Sequence, residues 1–261
     1  MVWSVLFIVI PLLMVVWYTF TDASGAFTLE NIKKLAETNY VRTFLRSIMY
    51  SVIATFFCLI IAFPFAYFIS QATRRFQNLA IMFLMLPMWT NLLIRTYAIS
   101  RLLENTGIIN TLLSGILDKP VQMINTPFAV IFGMVYNFLP YMVLPIYTVI
   151  SKLDKSVIEA SQDLGCNRFN VVTRVIIPLS KSGIVSGITM VFVPAVSTFY
   201  ISQALGGSKN MLIGELIEQQ FMQGYKNFGS ALSLVLMILI MISIAVMNKF
   251  SDDSDGGEMI L

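Results

Sequence analysis

Between Leu153 and Pro178 the chain reads LDKSVIEASQDLGCNRFNVVTRVIIP, and here residue spacing is most informative. Glu159, Ala160 and Ser161 are followed after three residues by Gly165, then nine residues later by Val175-Ile176-Ile177-Pro178. Leu153, Val157, Ala160 and Leu164 recur at helical spacing and form one apolar face, with Asp154, Lys155, Glu159, Gln162 and Asp163 pointing away from it. Ser156 and Glu159 fit a capping box, in which each side chain answers the other residue's backbone N–H. Gly165 suits the left-handed stop after a helix. Phe169, Val172 and Ile176 then open a second apolar stripe that Pro178 ends. A short amphipathic helix, a glycine turn and a second helix can lie on a lipid surface or dock apolar face down in a partner's groove. Periodicity leaves both open.

Other chemistry is mostly excluded. The chain has no histidine, so the commonest general base and metal ligand is missing. It contains no G-x-x-x-x-G-K-[ST] phosphate loop, no G-x-S-x-G elbow and no H-E-x-x-H helix. Ser186 and the other hydroxyls of the apolar stretches have no His, Asp or Glu beside them in sequence, which argues against a membrane-embedded enzyme. Cys58 lies in an apolar run and Cys166 in a polar loop, so no disulfide is expected. A net charge of +3 is too small to imply a nucleic-acid partner.

The elements that position these residues are read from hydropathy. Of 261 residues, 57% are hydrophobic and 12% charged, about half the charge of an ordinary soluble chain. Mean hydropathy is +0.79. Six stretches approach the roughly 20 apolar residues that cross a bilayer: Val2–Phe20, Ser47–Ser70, Asn78–Ala98, Pro127–Ile150, Gly183–Gln203 and Asn227–Lys249. This predicts an all-α, multi-pass membrane protein with about six transmembrane helices and both termini on one side. Lys and Arg divide eight to each side, with Arg95 inside a span, but the loops 71–77 and 151–182 concentrate them. That density places both termini and the 151–182 loop in the cytoplasm. No cleavable signal is expected, and the lack of a basic flank before the first span is unusual. Pro64, Pro87, Pro140, Pro145 and Pro194 fall within spans, where they bend helices and free carbonyls that neighbours or a cavity must satisfy. Gly183 and Gly187 form a small-xxx-small seam for close helix packing. Residues 1–250 are read as one membrane domain, and the acidic 251–261 as a disordered cytoplasmic tail.

The Glu159–Pro178 spacing resembles the EAA-x3-G-x9-I-x-L-P loop of permeases in binding-protein-dependent ABC importers. Ser161, Val175 and Ile177 are mild departures from that pattern. The resemblance implies a type I (MetI-like) permease of the bacterial cytoplasmic membrane. It also implies a coupling role for Glu159, Ala160, Ser161, Gly165 and Pro178 against an ATPase dimer that binds ATP and Mg. The other implied partners are a second, homologous permease and an extracytoplasmic substrate-binding protein.

The segments 86–97 (LPMWTNLLIRTY), 125–147 and 194–210 further resemble the permeases of spermidine/putrescine importers. A polyamine is a flexible multiple cation, and aromatic faces attract cations by about 0.5–2 kcal/mol each. Trp89, Tyr136, Tyr141, Phe199 and Tyr200, beside Asn91 and Asn137, are therefore the expected substrate path, although Trp and Tyr also populate interfacial belts. No Asp or Glu lies within the six stretches to pair with an ammonium. Arg95, near the outer end of its span, either snorkels to the interface or acts as an anchor or gate. The outer segment Met211–Phe221 reads as a short amphipathic helix carrying Glu215 and Glu218, either as a solvated face or, as the resemblance implies for outside loops, as a contact for the binding protein. The alternatives are an ABC permease for another small solute and, from a different class, a self-sufficient channel or secondary transporter.

Overall fold

The computed structural model describes residues 3, 5–22, 24–113 and 120–255. Val2 and residues 256–261 lie outside the described residues. The described chain is helical apart from connecting turns and one isolated bridge, Thr21 to Phe27. A π turn at Val5–Val9 leads into α1 (Ile10–Thr19). Then come α2 (Glu30–Leu35), α3 (Thr38–Gln71), α4 (Arg74–Trp89), α5 (Leu92–Leu103), α6 (Ile108–Leu113) and α7 (Pro127–Ile150). The second half holds α8 (Lys155–Asp163), α9 (Arg168–Val171), α10 (Lys181–Ser197), α11 (Tyr200–Leu205), α12 (Ile213–Met222) and α13 (Lys226–Asp255).

Three of these helices, α3, α7 and α13, are long and apolar enough to cross a membrane unbroken. Two more spans are bent pairs, giving up to five, while Leu6–Thr19 is a shorter apolar helix. The expected third span is broken at Thr90–Asn91, where α4 and the following helix diverge by 92°. Pro87 sets up the break. Thr90 donates its N–H and its hydroxyl to the Pro87 carbonyl, and Asn91 Oδ1 then accepts the Leu93 N–H at 2.7 Å to cap the next helix. The fifth span bends by 70° at Ser180, between the segment ending at Leu179 and α10. It stops again at Thr198–Phe199 before α11. The last helix runs on through Asp255, so residues 251–255, expected as disordered tail, are helical.

The chain folds as two compact units, each assembled from three separate stretches of sequence. One comprises Met1–Ser51, Ile99–Ile131 and Val196–Ser243. Its polar hub is Asn210, whose Nδ2 donates to the Asn125 and Gly206 carbonyls and whose Oδ1 accepts from the Tyr50 hydroxyl. Ser47 Oγ accepts the Ile213 N–H at 2.8 Å, and the Arg46 guanidinium donates to the Lys209 carbonyl. These bonds satisfy loop backbone that lipid would leave unpaired. Asn227 likewise ties Tyr18, Thr21 and Asp22 through their carbonyls.

The other unit comprises Val52–Ala98, Phe132–Ala195 and Ile244–Leu261. The glycine seam expected from sequence forms a close helix contact there. A Cβ on Gly183 would lie 2.9 Å from the Pro145 carbonyl oxygen, and one on Gly187 would lie 2.7 Å from Met142 Sδ. The two glycines thus let α10 and α7 approach backbone to backbone over the buried Met142 and Ile146. Gln77 pins the short turn after α3. It donates to the Ser70 and Ala72 carbonyls and accepts from the Tyr147 hydroxyl.

Candidate functional site

Helix α8 begins at an N-cap, Asp154, whose carboxylate accepts the Ser156 N–H at 3.0 Å. The cap therefore sits two residues before the Ser156 predicted from sequence, and the Ser156–Glu159 capping box does not form. Asp154 is fully exposed, and its hydrogen bonds to the Ser156 backbone and side chain hold its carboxyl below the usual aspartate range. The helix ends in a Schellman motif: Gly165 N–H donates to the Gln162 carbonyl and Cys166 N–H to the Ser161 carbonyl. Gly165 takes φ +85°, the left-handed conformation read from its sequence position. Nothing lies within 4 Å of where its Cβ would be, so the requirement for glycine is conformational and not steric.

Asn167 then caps α9 by accepting the Asn170 N–H at 2.8 Å. The chain runs through a π turn at Val172–Ile176, with Pro178 inside the short helix Ile177–Leu179 just before the 70° bend. The buried side of α8 is the Ser161 side, and Ser161 Oγ bonds back to the Ile158 carbonyl. Its apolar stripe faces outward: Val157 and Ala160 are exposed and Leu164 is 87% exposed. Phe169, on the next helix, is 73% exposed. Glu159 is exposed as well. The loop thus presents apolar side chains around a carboxylate, on a scaffold whose turns are fixed by Asp154, Gly165 and Asn167.

Trp89, Asn91, Tyr136, Asn137 and Tyr141 belong to one compact unit, and Phe199 and Tyr200 to the other. Trp89 lines a cavity of about 550 Å³ with Arg74, Asn78 and Tyr147. Tyr136 lines a different one, of about 400 Å³, with Phe65, Phe68 and Pro140. Phe199 lines a third, and Tyr200 begins α11 one residue after the break. Tyr141 meets Phe138 edge-on at 6.4 Å. Both amides make hydrogen bonds within their unit, while Asn137 Oδ1 is buried without a partner among the described residues. Asn91 is the cap described above, and Asn137 is 1% exposed, donating to the Gly133 carbonyl and to Thr96 Oγ1.

Arg95 lies on α5, beyond the 92° bend rather than within a straight span. Its Nε and Nη1 are buried without a hydrogen-bond acceptor among the described residues. Those two atoms therefore do not snorkel to water.

Helix α12 departs most from its sequence reading. Glu215 is not solvated but 9% exposed. Burial pushes its carboxyl above the ordinary glutamate range, the Ser202 hydroxyl and the Leu212 N–H oppose that shift, and the charge of Glu218 adds to it. Leu212, the N-cap, has no side-chain acceptor to offer, so the glutamate three residues on reaches back to its N–H. Glu215 Oε2 is buried and has no partner among the described residues. The signal in sequence was the apolar flanking on both sides, I-G-E-L-I, which a single-face reading passes over.

A family model for the binding-protein-dependent transport system inner membrane component matches residues 2–253. The spermidine/putrescine transport system permease protein PotB of Salmonella typhimurium strain SL1344 is 40% identical over 247 residues, covering 91% of this chain and 86% of the relative. PotB of Escherichia coli K12 is 39% identical, covering 91% and 90%. The Haemophilus influenzae protein of the same name is 40% identical, covering 94% and 88%. A solved structure of a bacterial ABC transporter involved in import of the acidic polysaccharide alginate superposes with a TM-score of 0.82 at 15% identity, covering 97% of this chain and 92% of that one. At that identity the likeness speaks for the fold alone.

Proposed function

Because the chain belongs to the inner membrane components of binding-protein-dependent transport systems, we propose that it is one permease of an ATP-driven polyamine importer. The observation that carries this reading is the 39–40% identity, over more than nine-tenths of the chain, to permeases named for spermidine and putrescine transport. In this reading the chain hydrolyses nothing. ATP and Mg are bound by a separate ATPase dimer on the cytoplasmic side. A second, homologous permease completes the pore, and an extracytoplasmic binding protein delivers the substrate. Both termini and the 151–182 loop face the cytoplasm.

The exposed apolar face of α8 supports a coupling role for this loop. The exposed Val157, Ala160 and Leu164 seat in an apolar cleft of the ATPase, and Glu159 pairs with a basic group on its rim. Gly165 sets the turn that aims α8, and the segment 168–179 carries the loop's displacement into α10. Closure of the ATPase pair is thereby converted into movement of the spans. Arg95 acts as an anchor, with its two unpaired nitrogens satisfied by an acceptor from a neighbouring subunit or a lipid phosphate.

The test is uptake of labelled spermidine by cells lacking this chain, with and without it restored beside its companion subunits. ATP-dependent uptake that returns on restoration, and that putrescine but not sugars or phosphate competes, is the expected result. Unchanged spermidine uptake would overturn the polyamine assignment and point to another small solute for the same class of permease.

A further inference from the structure

The six apolar stretches hold no carboxylate for a cationic substrate, yet one unit of the protein builds an acidic, apolar-floored cavity beside the second break of the fifth span. This cavity, of about 420 Å³, is lined by Ser197, Phe199 and Glu218 and floored by Leu236, Met237 and Ile240. Ser197 is the last residue of α10, so the negative end of a 17-residue helix dipole lies in the wall. Gly214 lets α12 close onto this break, since a Cβ there would lie 2.4 Å from the Ser197 carbonyl oxygen. Phe199 adds an aromatic face.

The independent observation is Glu215, one turn before Glu218 and within reach of its charge. Its Oε2 is buried without a donor, and among the described residues no cation acts on it. The Ser202 hydroxyl and the Leu212 N–H reach the Glu215 carboxyl, yet Oε2 is left without a partner among the described residues. A buried carboxylate with a vacant oxygen is costly unless a cation arrives to meet it.

We propose that this cavity is an alkylammonium subsite, with Glu218 receiving a terminal ammonium of the substrate, the Glu215 carboxylate behind it supplying the second negative charge, and the apolar floor accepting the methylene chain. A linear polyamine has that alternation of charged ends and apolar stems. A sugar, a phosphate or an amino acid does not. The proposal rests on the polyamine reading above and deepens it by naming the groups that recognise the cation.

The experiment is spermidine uptake into proteoliposomes containing the complete importer, at a fixed concentration of loaded binding protein. Glu218→Gln, Glu218→Asp and Glu215→Gln are compared with the unsubstituted chain, and the amount of assembled complex is measured for each. Glu215→Gln keeps an oxygen for the Leu212 N–H, so the helix cap is retained. The expected result is a loss of about tenfold or more in uptake at subsaturating substrate for each Gln variant, with Glu218→Asp largely rescued. Uptake by both Gln variants at the unsubstituted rate would overturn the subsite while leaving the polyamine reading intact. An assembled, unsubstituted importer that takes up no spermidine would overturn both.

Discussion

The segments 153–179 and 197–222 are of similar size, and they treat polar and apolar groups in opposite ways. The first leaves the apolar stripe of α8 and Phe169 uncovered while burying Val171 and Ile176, and fixes its shape through side-chain caps at Asp154 and Asn167 and the left-handed turn at Gly165. The second buries its polar groups and links them across distant segments, through Asn210 to Tyr50 and Asn125 and through Ser47 to Ile213. An apolar face on a rigid turn needs a partner to cover it. A buried polar network needs no partner and holds loops in register where water is scarce. Under the proposed function the first region is the one a partner protein pushes, while the second holds loop backbone in register through its buried bonds.

Substitutions can break this contrast, and the largest effect is expected at Gly165. At φ +85° a β-branched residue is strained whatever space surrounds it, so Gly165→Val should abolish uptake although the complex still inserts. Retained uptake would mean that the loop's aim is set elsewhere. Next is Gly187→Leu, which drives a side chain into Met142 and should prevent stable folding, seen as loss of the protein from the membrane fraction. Asn210→Ala should lower the stability of the purified importer by about 1–3 kcal/mol, because it leaves buried groups unsatisfied, and its thermal unfolding midpoint should fall. Leu164→Ser should leave that midpoint unchanged, since the side chain touches little in this chain, yet weaken ATPase binding by about tenfold. A fall in stability instead would show that the stripe is covered within the chain.

The smallest effect is expected at Asp154. Its folded-state carboxyl lies below its ordinary range, so the cap's contribution is present above the unfolded value and fades as pH falls through the folded one. Asp154→Asn should remove that acid-range dependence of α8 order, measured by amide exchange of Val157 and Ile158, while retaining the cap.

The two regions also differ in how far sequence revealed them. The 153–178 pattern was legible because its determinants are local. Gly165 announces its own backbone angle, and an apolar stripe is visible whether or not anything covers it. The misplaced cap is a local ambiguity, since Asp154 and Ser156 are both good N-cap residues and only geometry chooses between them. The Gly183–Gly187 seam was legible for the same reason, because small residues at helical spacing have little other use in a span.

The bend at Thr90–Asn91 escaped because hydropathy averages composition and carries no direction, although Pro87 followed by Thr90-Asn91 reads in retrospect as a stop and a cap. Glu215 escaped because its burial is decided by Gly214, Ser202 and the broken fifth span, all tertiary.

The central claim is that the loop around Glu159 transmits work done on ATP by another subunit. The most direct measurement is the ratio of spermidine imported to ATP hydrolysed by the reconstituted importer, with Glu159 intact and with Glu159→Lys. The variant is expected to assemble and hydrolyse ATP while the ratio collapses toward zero. An unchanged ratio would contradict it and reduce Glu159 to an exposed residue on a helix that something else moves.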